Sequence, residues 1–187
     1  MSTRKTQILQ EAVKMIATRG YAAFSMRALA KQCGLTLGAL QYHYSTRDTL
    51  LRALSEYIGR QYSQSFLAHL AVVDDGTPLL NTLMDLALID SANERMMGDR
   101  LFPQLWAMAL VEPIVEELMG GLYEQYLTAL EEGLRQQGVV DPRPDALVLM
   151  AMLEGLTLFT GRGQRWESGA EEALAAARAF VAARYGG

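Results

Sequence analysis

The chain has 187 residues, of which 50% are hydrophobic and 20% charged, and its formal net charge is −4. That composition excludes a disordered or fibrous protein, and a single cysteine, Cys33, excludes an internal disulfide or a cysteine zinc site. Ala, Leu, Met, Glu and Gln dominate and proline is sparse, which favours helix throughout.

The charge is unevenly spread. Residues 1–60 carry nine Lys and Arg against three Asp and Glu, and the remainder carries eight basic against eighteen acidic residues. A basic front on an acidic body points to one segment that faces a polyanion. The N-terminal stretch MSTRKTQILQEAV lacks the apolar core of a secretion signal. The most apolar run, residues 146–159, is too short to span a membrane and carries Glu154. A soluble cytoplasmic protein without a membrane partner is expected.

Along the chain, Ile8, Leu9, Ala12, Val13, Ile16 and Ala17 recur at helical spacing, and Gly20 stops that first helix. Ser25 can cap a short second helix with Met26, Leu29, Ala30 and Cys33 on one face, so Cys33 reads as a small core residue. Gly34 then breaks the chain. Thr36 can cap a third helix that ends near Tyr44, and Thr46 can cap a fourth with Asp48 in its first turn. Two short helices joined across a glycine turn describe a helix-turn-helix. The fourth helix starts with Leu50, Leu51, Leu54, Tyr57 and Ile58 and can continue through Tyr62, Phe66 and Leu70.

The segment VVDDGTP, residues 72–78, is the clearest break. Beyond it the periodicity predicts helices near 78–92, 99–111, 113–136, 142–161 and 168–185, with Pro113 and Pro142 in first turns and Gly138 and Gly161 at ends. No alternating strand pattern occurs. The expected fold is all-α, with a three-helix helix-turn-helix domain over 1–56 joined by the long fourth helix to a larger helical domain over 57–187.

The third helix crowds Gln41, Tyr42, His43 and Tyr44 onto little backbone. In a helix-turn-helix the second helix enters the major groove, which asks for small residues at the closest approach and for donors to phosphate oxygens. Gly38 and Ala39 supply the first, and hydroxyl, imidazole, amide and guanidinium groups supply the second. In these residues the chain resembles the TetR family of transcriptional regulators. The likeness runs from about Thr6 to Tyr57 through RGYAAFS and SMRALAKQCGLTLGALQYHYSTRDTLL. The third-helix pattern is matched in order at Gly34, Leu35, Thr36, Gly38, Leu40, Tyr42, His43, Tyr44, Arg47, Asp48, Leu50 and Leu51.

The resemblance implies that Thr36, Tyr42, His43 and Arg47 hold phosphates, while Leu37, Ala39 and Gln41 face bases or the groove wall. Many members carry Lys at the position of Leu37, so contact with a thymine methyl would replace a phosphate contact there. Gln41 stands where Tyr is common and can pair bidentately with adenine, which makes it the candidate specificity determinant. Ser25 and Arg27 are further candidates for the phosphate backbone. Tyr44 is expected in the core.

The same resemblance implies a larger domain that binds a small-molecule effector and dimerises. It would form a homodimer through the helices near 142–161 and 168–185 and bind a pseudo-palindromic double-stranded DNA operator until the effector releases it. Repression is the commoner outcome in the family, and activation uses the same parts. Residues 146–159 are apolar nearly all round, so a helix there is expected to be buried on more than one side. The last helix, with Ala173, Leu174, Ala177, Phe180 and Val181, offers small residues for close approach.

Met84, Met96, Met97, Phe102, Trp106, Met108, Tyr123, Tyr126, Met150 and Phe159 supply rings and thioethers of the kind that line adaptable cavities, and equally plain cores. Of these, Phe102, Trp106, Tyr123, Met84, Tyr126 and Met150 are the expected ligand contacts. The stretch LFPQLWAMALVEP followed by LYEQY resembles the subgroup that includes the choline-responsive regulator BetI, without carrying a ligand over. Asp85 or Glu154 in the pocket would favour a cation. Phe66, Leu70 and the fourth helix would transmit the ligand's effect.

Two histidines and one cysteine assemble no metal site by familiar spacing, and nothing such as G-x-S-x-G supports a catalytic serine. No enzyme, metal or cofactor is expected. His43 can also be read as a solvated turn residue, and His69 as an ordinary one at the surface or core edge. A reading of a different class is a helical small-molecule sensor or carrier whose N-terminal domain binds protein rather than DNA.

Overall fold

Local capping chemistry sets where the N-terminal helices begin and end. In the computed structural model, which describes residues 3–70, 80, 83 and 98–185, α1 runs Arg4–Arg19. It opens on Thr3, whose hydroxyl oxygen accepts from the Thr6 N–H at 3.3 Å. Its buried stripe is Ile8, Leu9, Ala12, Val13, Met15, Ile16 and Ala17, as the periodicity requires, and it ends at Gly20 with a φ of 78°. Then follow α2, Met26–Gln32, α3, Leu37–His43, and α4, Arg47–Leu70, with a short 3-10 turn at Tyr21–Ala23 before α2. Ser25, Thr36 and Thr46 each cap the helix expected of them.

The remaining helices are α5, Gly98–Ala109, α6, Pro113–Gln136, α7, Pro142–Thr160, and α8, Ala170–Tyr185. No strand occurs among the described residues, so the fold is all-α. Gly138 lies past the end of α6 with a φ of 84°, and its neighbour Val139 donates back to Leu134 at 3.1 Å while Gly138 donates to Arg135 at 2.9 Å. That pair of bonds closes the helix on a left-handed glycine. The expected break at 72–78 and the helix near 78–92 lie outside the described residues, apart from Leu80 and Leu83, which are helical and buried. Met84, Asp85, Met96, Met97 and the side chains of His69 and Leu70 likewise lie outside them.

Two compact units divide the chain, Met1–Ser63 with Glu94–Gly120, and Gln64–Asn93 with Gly121–Gly187. The helix-turn-helix lies in the first of these units, together with α5. The reason is packing: α1 lies against α5, and the Tyr21 N–H donates to Gln104 Oε1 at 3.0 Å. Leu29, Leu40, Leu50, Leu51, Leu54 and Ile58 complete its core, and the Tyr62 and Phe102 rings meet edge to face at 4.8 Å.

The second unit centres on Phe66, Leu80, Leu83, Leu127, Leu130, Leu134, Leu149, Leu153 and Val181. Gly133 allows the closest approach there, since a Cβ on it would stand 3.3 Å from the Leu80 backbone nitrogen. Arg143 bridges Glu124 at 3.0 Å and Glu131 at 2.8 Å, tying α6 to α7. Asp145 accepts from the Tyr185 hydroxyl at 2.7 Å and from Arg184 at 3.1 Å, tying α7 to α8.

Within this chain α7 buries one stripe, Pro142, Ala146, Leu149 and Leu153. Leu147, Val148, Leu158 and Phe159 remain between 45% and 55% exposed. A helix packed into one layer can bury only the residues at i, i+3, i+4 and i+7, and the opposite stripe stays bare unless a second layer covers it.

Leu40 is fully buried under α3 and the adjacent Gln41 is exposed. Leu40→Ala should therefore cost about 2–5 kcal/mol in urea denaturation, whereas Gln41→Ala stays within about 0.5 kcal/mol. Equal losses would contradict the orientation of α3.

Candidate nucleic-acid interface

The turn between α2 and α3 is built by backbone chemistry that needs glycine. Gly34 has a φ of 65°, its N–H donates to Lys31 at 3.2 Å, and the Leu35 N–H donates to Ala30 at 2.8 Å. This double bond pattern closes α2 and aims the chain into α3. Thr36 then caps α3 by accepting from the Ala39 N–H at 3.1 Å. Thr46 and Thr49 cap reciprocally at the start of α4, where the Thr49 N–H donates to the Thr46 hydroxyl at 3.1 Å and the Thr46 N–H to Thr49 at 3.0 Å.

Both short helices are clamped to α1. Arg4 donates to the Cys33 carbonyl at 3.0 Å, and the Gln32 amide reaches the Glu11 carboxylate at 2.9 Å and its carbonyl at 3.1 Å. The Tyr44 hydroxyl donates to the Lys5 carbonyl at 3.3 Å, while Lys5 Nζ lies 5.8 Å from the Tyr44 ring. Cys33, expected in the core, is half-buried, because its place at the end of α2 leaves one side open. Burial and the Glu11 carboxylate push its thiol above the ordinary range, which makes it a poor nucleophile.

Packing sorts the α3 residues into two faces. Leu40 and Tyr44 point into the core, and Gly38, Gln41 and Tyr42, at i, i+3 and i+4, point out. Tyr42 is 86% exposed and stands edge-on to the His43 ring at 5.5 Å. A Cβ on Gly38 would meet nothing within 4 Å, so the chain's own packing does not require glycine there. Leu37, Ala39 and His43 are half-buried on the flanks of this face. Ser25, Arg27 and Thr36 are exposed at the neighbouring helix starts. The Ser25 and Thr36 oxygens accept a capping bond, which leaves each O–H proton free to donate outward. Arg4, Lys5, Lys14, Arg19, Arg27, Lys31, Arg52 and Arg60 are all exposed, so the basic excess lies on the surface of this unit.

Arg47 has a different environment. Its Nη2 donates to Glu112 Oε1 at 2.6 Å and to the Tyr21 hydroxyl, which itself donates to Glu112, and the guanidinium lies 5.7 Å from the Tyr21 ring. The Arg47 bond, and then the Tyr21 bond, hold the Glu112 carboxyl below the usual glutamate range, while burial, and then the bond to Glu112, push the Tyr21 phenol up. Neither Tyr21 nor Glu112 is singled out by the sequence. RGYAAFS marks the first as part of a motif without a role, and Glu112 is separated from Arg47 by 65 residues.

The expected ligand residues are distributed as follows. Phe102, half-buried against Tyr62, and Trp106, 49% exposed, belong to the first unit. Tyr126, 4.7 Å from Phe66, belongs to the second, as do the half-buried Tyr123 and Met150, and Met84 lies outside the described residues. An open groove of about 330 Å³ in the first unit is lined by Arg52, Glu56 and Gly59 of α4 and Ile114, Glu117 and Leu118 of α6, and by none of the expected ligand residues. Among the described residues no helix is long and apolar enough to cross a membrane, and no group of His, Cys, Asp and Glu could hold a metal.

Residues 8–54 match the family model described as bacterial regulatory proteins, tetR family. The HTH-type transcriptional regulator PksA of Bacillus subtilis is 44% identical over 48 residues, 26% of this chain and 23% of that protein. The match thus spans about a fifth of the curated relatives' length. Over nearly the whole chain the fold is similar to a transcriptional regulator from Saccharomonospora viridis in complex with choline, with a TM-score of 0.79, 21% identity and coverage of 95% and 94% of the two chains. The multidrug binding protein EbrR complexed with malachite green is similar at a TM-score of 0.71 and 20% identity, over 95% of this chain and 98% of that one. At such identities the structural likeness carries the fold.

Because the Glu112 carboxyl titrates lower in the folded chain than in the unfolded one, its ion pair stabilises the fold above the ordinary glutamate value of 4.5 and is lost as pH falls through the lower folded value. Thermal melts of wild type and Glu112→Gln should differ most near neutral pH and converge only as pH falls below 4.5 and through the lowered folded value. A constant gap down to the acid limit would contradict that pairing.

Proposed function

As a member of the TetR family of bacterial transcriptional regulators through its DNA-binding domain, this chain, we propose, reads double-stranded operator DNA with the outward face of α3. The observation that carries this reading is Gly38, Gln41 and Tyr42 standing together in solvent on a helix whose other face is locked in the core. A bare glycine lets the backbone approach a groove wall, and the Gln41 amide can pair bidentately with adenine. The hydroxyls of Tyr42, Thr36 and Ser25, the His43 imidazole and the Arg27 guanidinium are donors placed around that face for phosphate oxygens. The exposed basic residues supply sequence-independent attraction.

Two copies would act together. On α7, Leu147, Val148, Ala151, Leu158 and Phe159 leave an apolar stripe outward, and on α8 Ala176, Ala179, Phe180 and Ala183 do the same. Both belong to the second unit, and their small residues favour close helix approach in a homodimer that presents two α3 helices to two half-sites. A small organic effector would bias the body toward one spacing of those helices. Choline and malachite green, bound by two structural neighbours, are both organic cations, which makes that class the first to test.

Fluorescence anisotropy on duplex DNA upstream of the protein's own gene, against scrambled duplex across a salt series, tests the reading. Wild type should prefer the upstream site and weaken steeply with salt. Tyr42→Ala should weaken binding to both duplexes about equally, and Gln41→Ala should erode the preference by about 10-fold, the loss of one bidentate base contact. Adding choline or malachite green should release the bound duplex if the effector is a cation of this kind. Absence of binding at low salt would sink the DNA reading and favour a front domain that binds protein.

Sedimentation tests the dimer separately. Val148→Glu combined with Phe180→Glu should halve the sedimenting mass while leaving the helical circular dichroism intact. An unchanged mass would remove α7 and α8 from the interface.

A further inference from the structure

The groove beside Gly59 holds two carboxylates and an arginine with nothing that points to a ligand, and the apolar stripes already belong to the dimer reading. Arg47, Tyr21 and Glu112 carry more. They come from three separate places in one compact unit: the first residue of α4, the turn after α1, and the corner between α5 and α6. All three meet at one carboxylate oxygen, Glu112 Oε1. Only Tyr44, Ser45 and Thr46 separate α3 from Arg47, so whatever holds Arg47 holds the exit of α3.

We infer that Arg47 is a positioning residue for DNA binding and not a phosphate contact: with Tyr21 and Glu112 it forms a polar latch that sets the orientation of α3. The inference rests on the DNA reading above. Three features support it. The Arg47 side chain is 39% exposed and that of Glu112 only 18%, so the pair is screened less than a surface ion pair. The guanidinium charge is matched by the carboxylate, which leaves little net field for a phosphate. Turning Arg47 out to DNA would strip Glu112 of its cation and Tyr21 of its donor. The latch also runs the other way. Glu112 accepts the first backbone bonds of α6, from Val115 at 2.9 Å and Glu116 at 3.1 Å, so a shift of that corner is delivered to the exit of α3.

The test compares Arg47→Gln, Glu112→Gln, the double variant and Tyr21→Phe, all measured for upstream-duplex affinity across the salt series and for melting temperature. Each single variant should lose about 3- to 30-fold in affinity, and the double should lose no more than either single, as coupled partners do. The slope of affinity against salt should stay at the wild-type value, and Tyr21→Phe should share part of the loss. A Glu112→Gln variant that binds as tightly as wild type, with Arg47→Gln lowering the salt slope by about one per subunit, would make Arg47 a phosphate contact and overturn the latch. Additive losses, or a lower melting temperature with unchanged affinity, would overturn it too. If wild type binds no DNA, the functional reading fails on its own, and additive melting losses in the same variants would then remove the latch as well.

Discussion

A helix of seven residues does not hold itself together in water, because the nucleation cost of its first turn outweighs the few bonds that follow. α3 exists because Leu40 and Tyr44 bury their side chains in the first unit and because Thr36 and the Gly34 turn satisfy its start. That burial has a directional consequence. Once residues 40 and 44 face inward, helical geometry leaves 38, 41 and 42 outward and puts 37, 39 and 43 on the flanks. The chemistry available to a ligand at this surface is therefore fixed by two apolar contacts on the opposite side. The outward placement of Gln41 and Tyr42 depends on them.

Polar contacts in this protein divide by how much water they see. Arg143 with Glu124 and Glu131, and Arg184 with Asp145, lie at the surface of the second unit, where screening leaves each pair a small contribution. The Arg47–Tyr21–Glu112 group is partly shielded, links three segments distant in sequence, and exchanges three hydrogen bonds among three side chains. Such a group costs more to break by removing one member than a pair on the surface does. It also changes the meaning of a basic residue. Eight cations of residues 1–60 are exposed and contribute to the field a polyanion would feel, while Arg47 has its charge matched inside the unit.

The C-terminal helices show a second kind of incompleteness. α7 and α8 each bury one stripe and expose another of comparable apolarity. Single exposed hydrophobic residues are normal on protein surfaces, but aligned stripes on adjacent helices of one unit are the usual mark of an interface. Asp145, which accepts from Tyr185 and Arg184, links these two helices, which also pack against one another.

Much of this was legible in the residues alone. Local signals determined the helices: hydrophobic spacing placed α1, α6, α7 and α8, and Gly20, Gly34 and Gly138 marked ends because each needs positive φ. Ser25, Thr36 and Thr46 marked starts because each offers an oxygen to an orphan N–H. The ordered pattern from Gly34 to Leu51 pointed to the family and to the outward residues of α3. The sequence could not say that α7 buries only one of its apolar faces within the chain, since composition does not distinguish a core neighbour from a second copy. Nor could it pair Arg47 with Glu112. Contacts between residues far apart in the chain leave no periodic trace, and 65 residues separate these two. Helix ends and caps were thus set by short-range physics, whereas the outward face of α3 and the partners of Arg47 were decided by the meeting of segments that only the folded chain brings together.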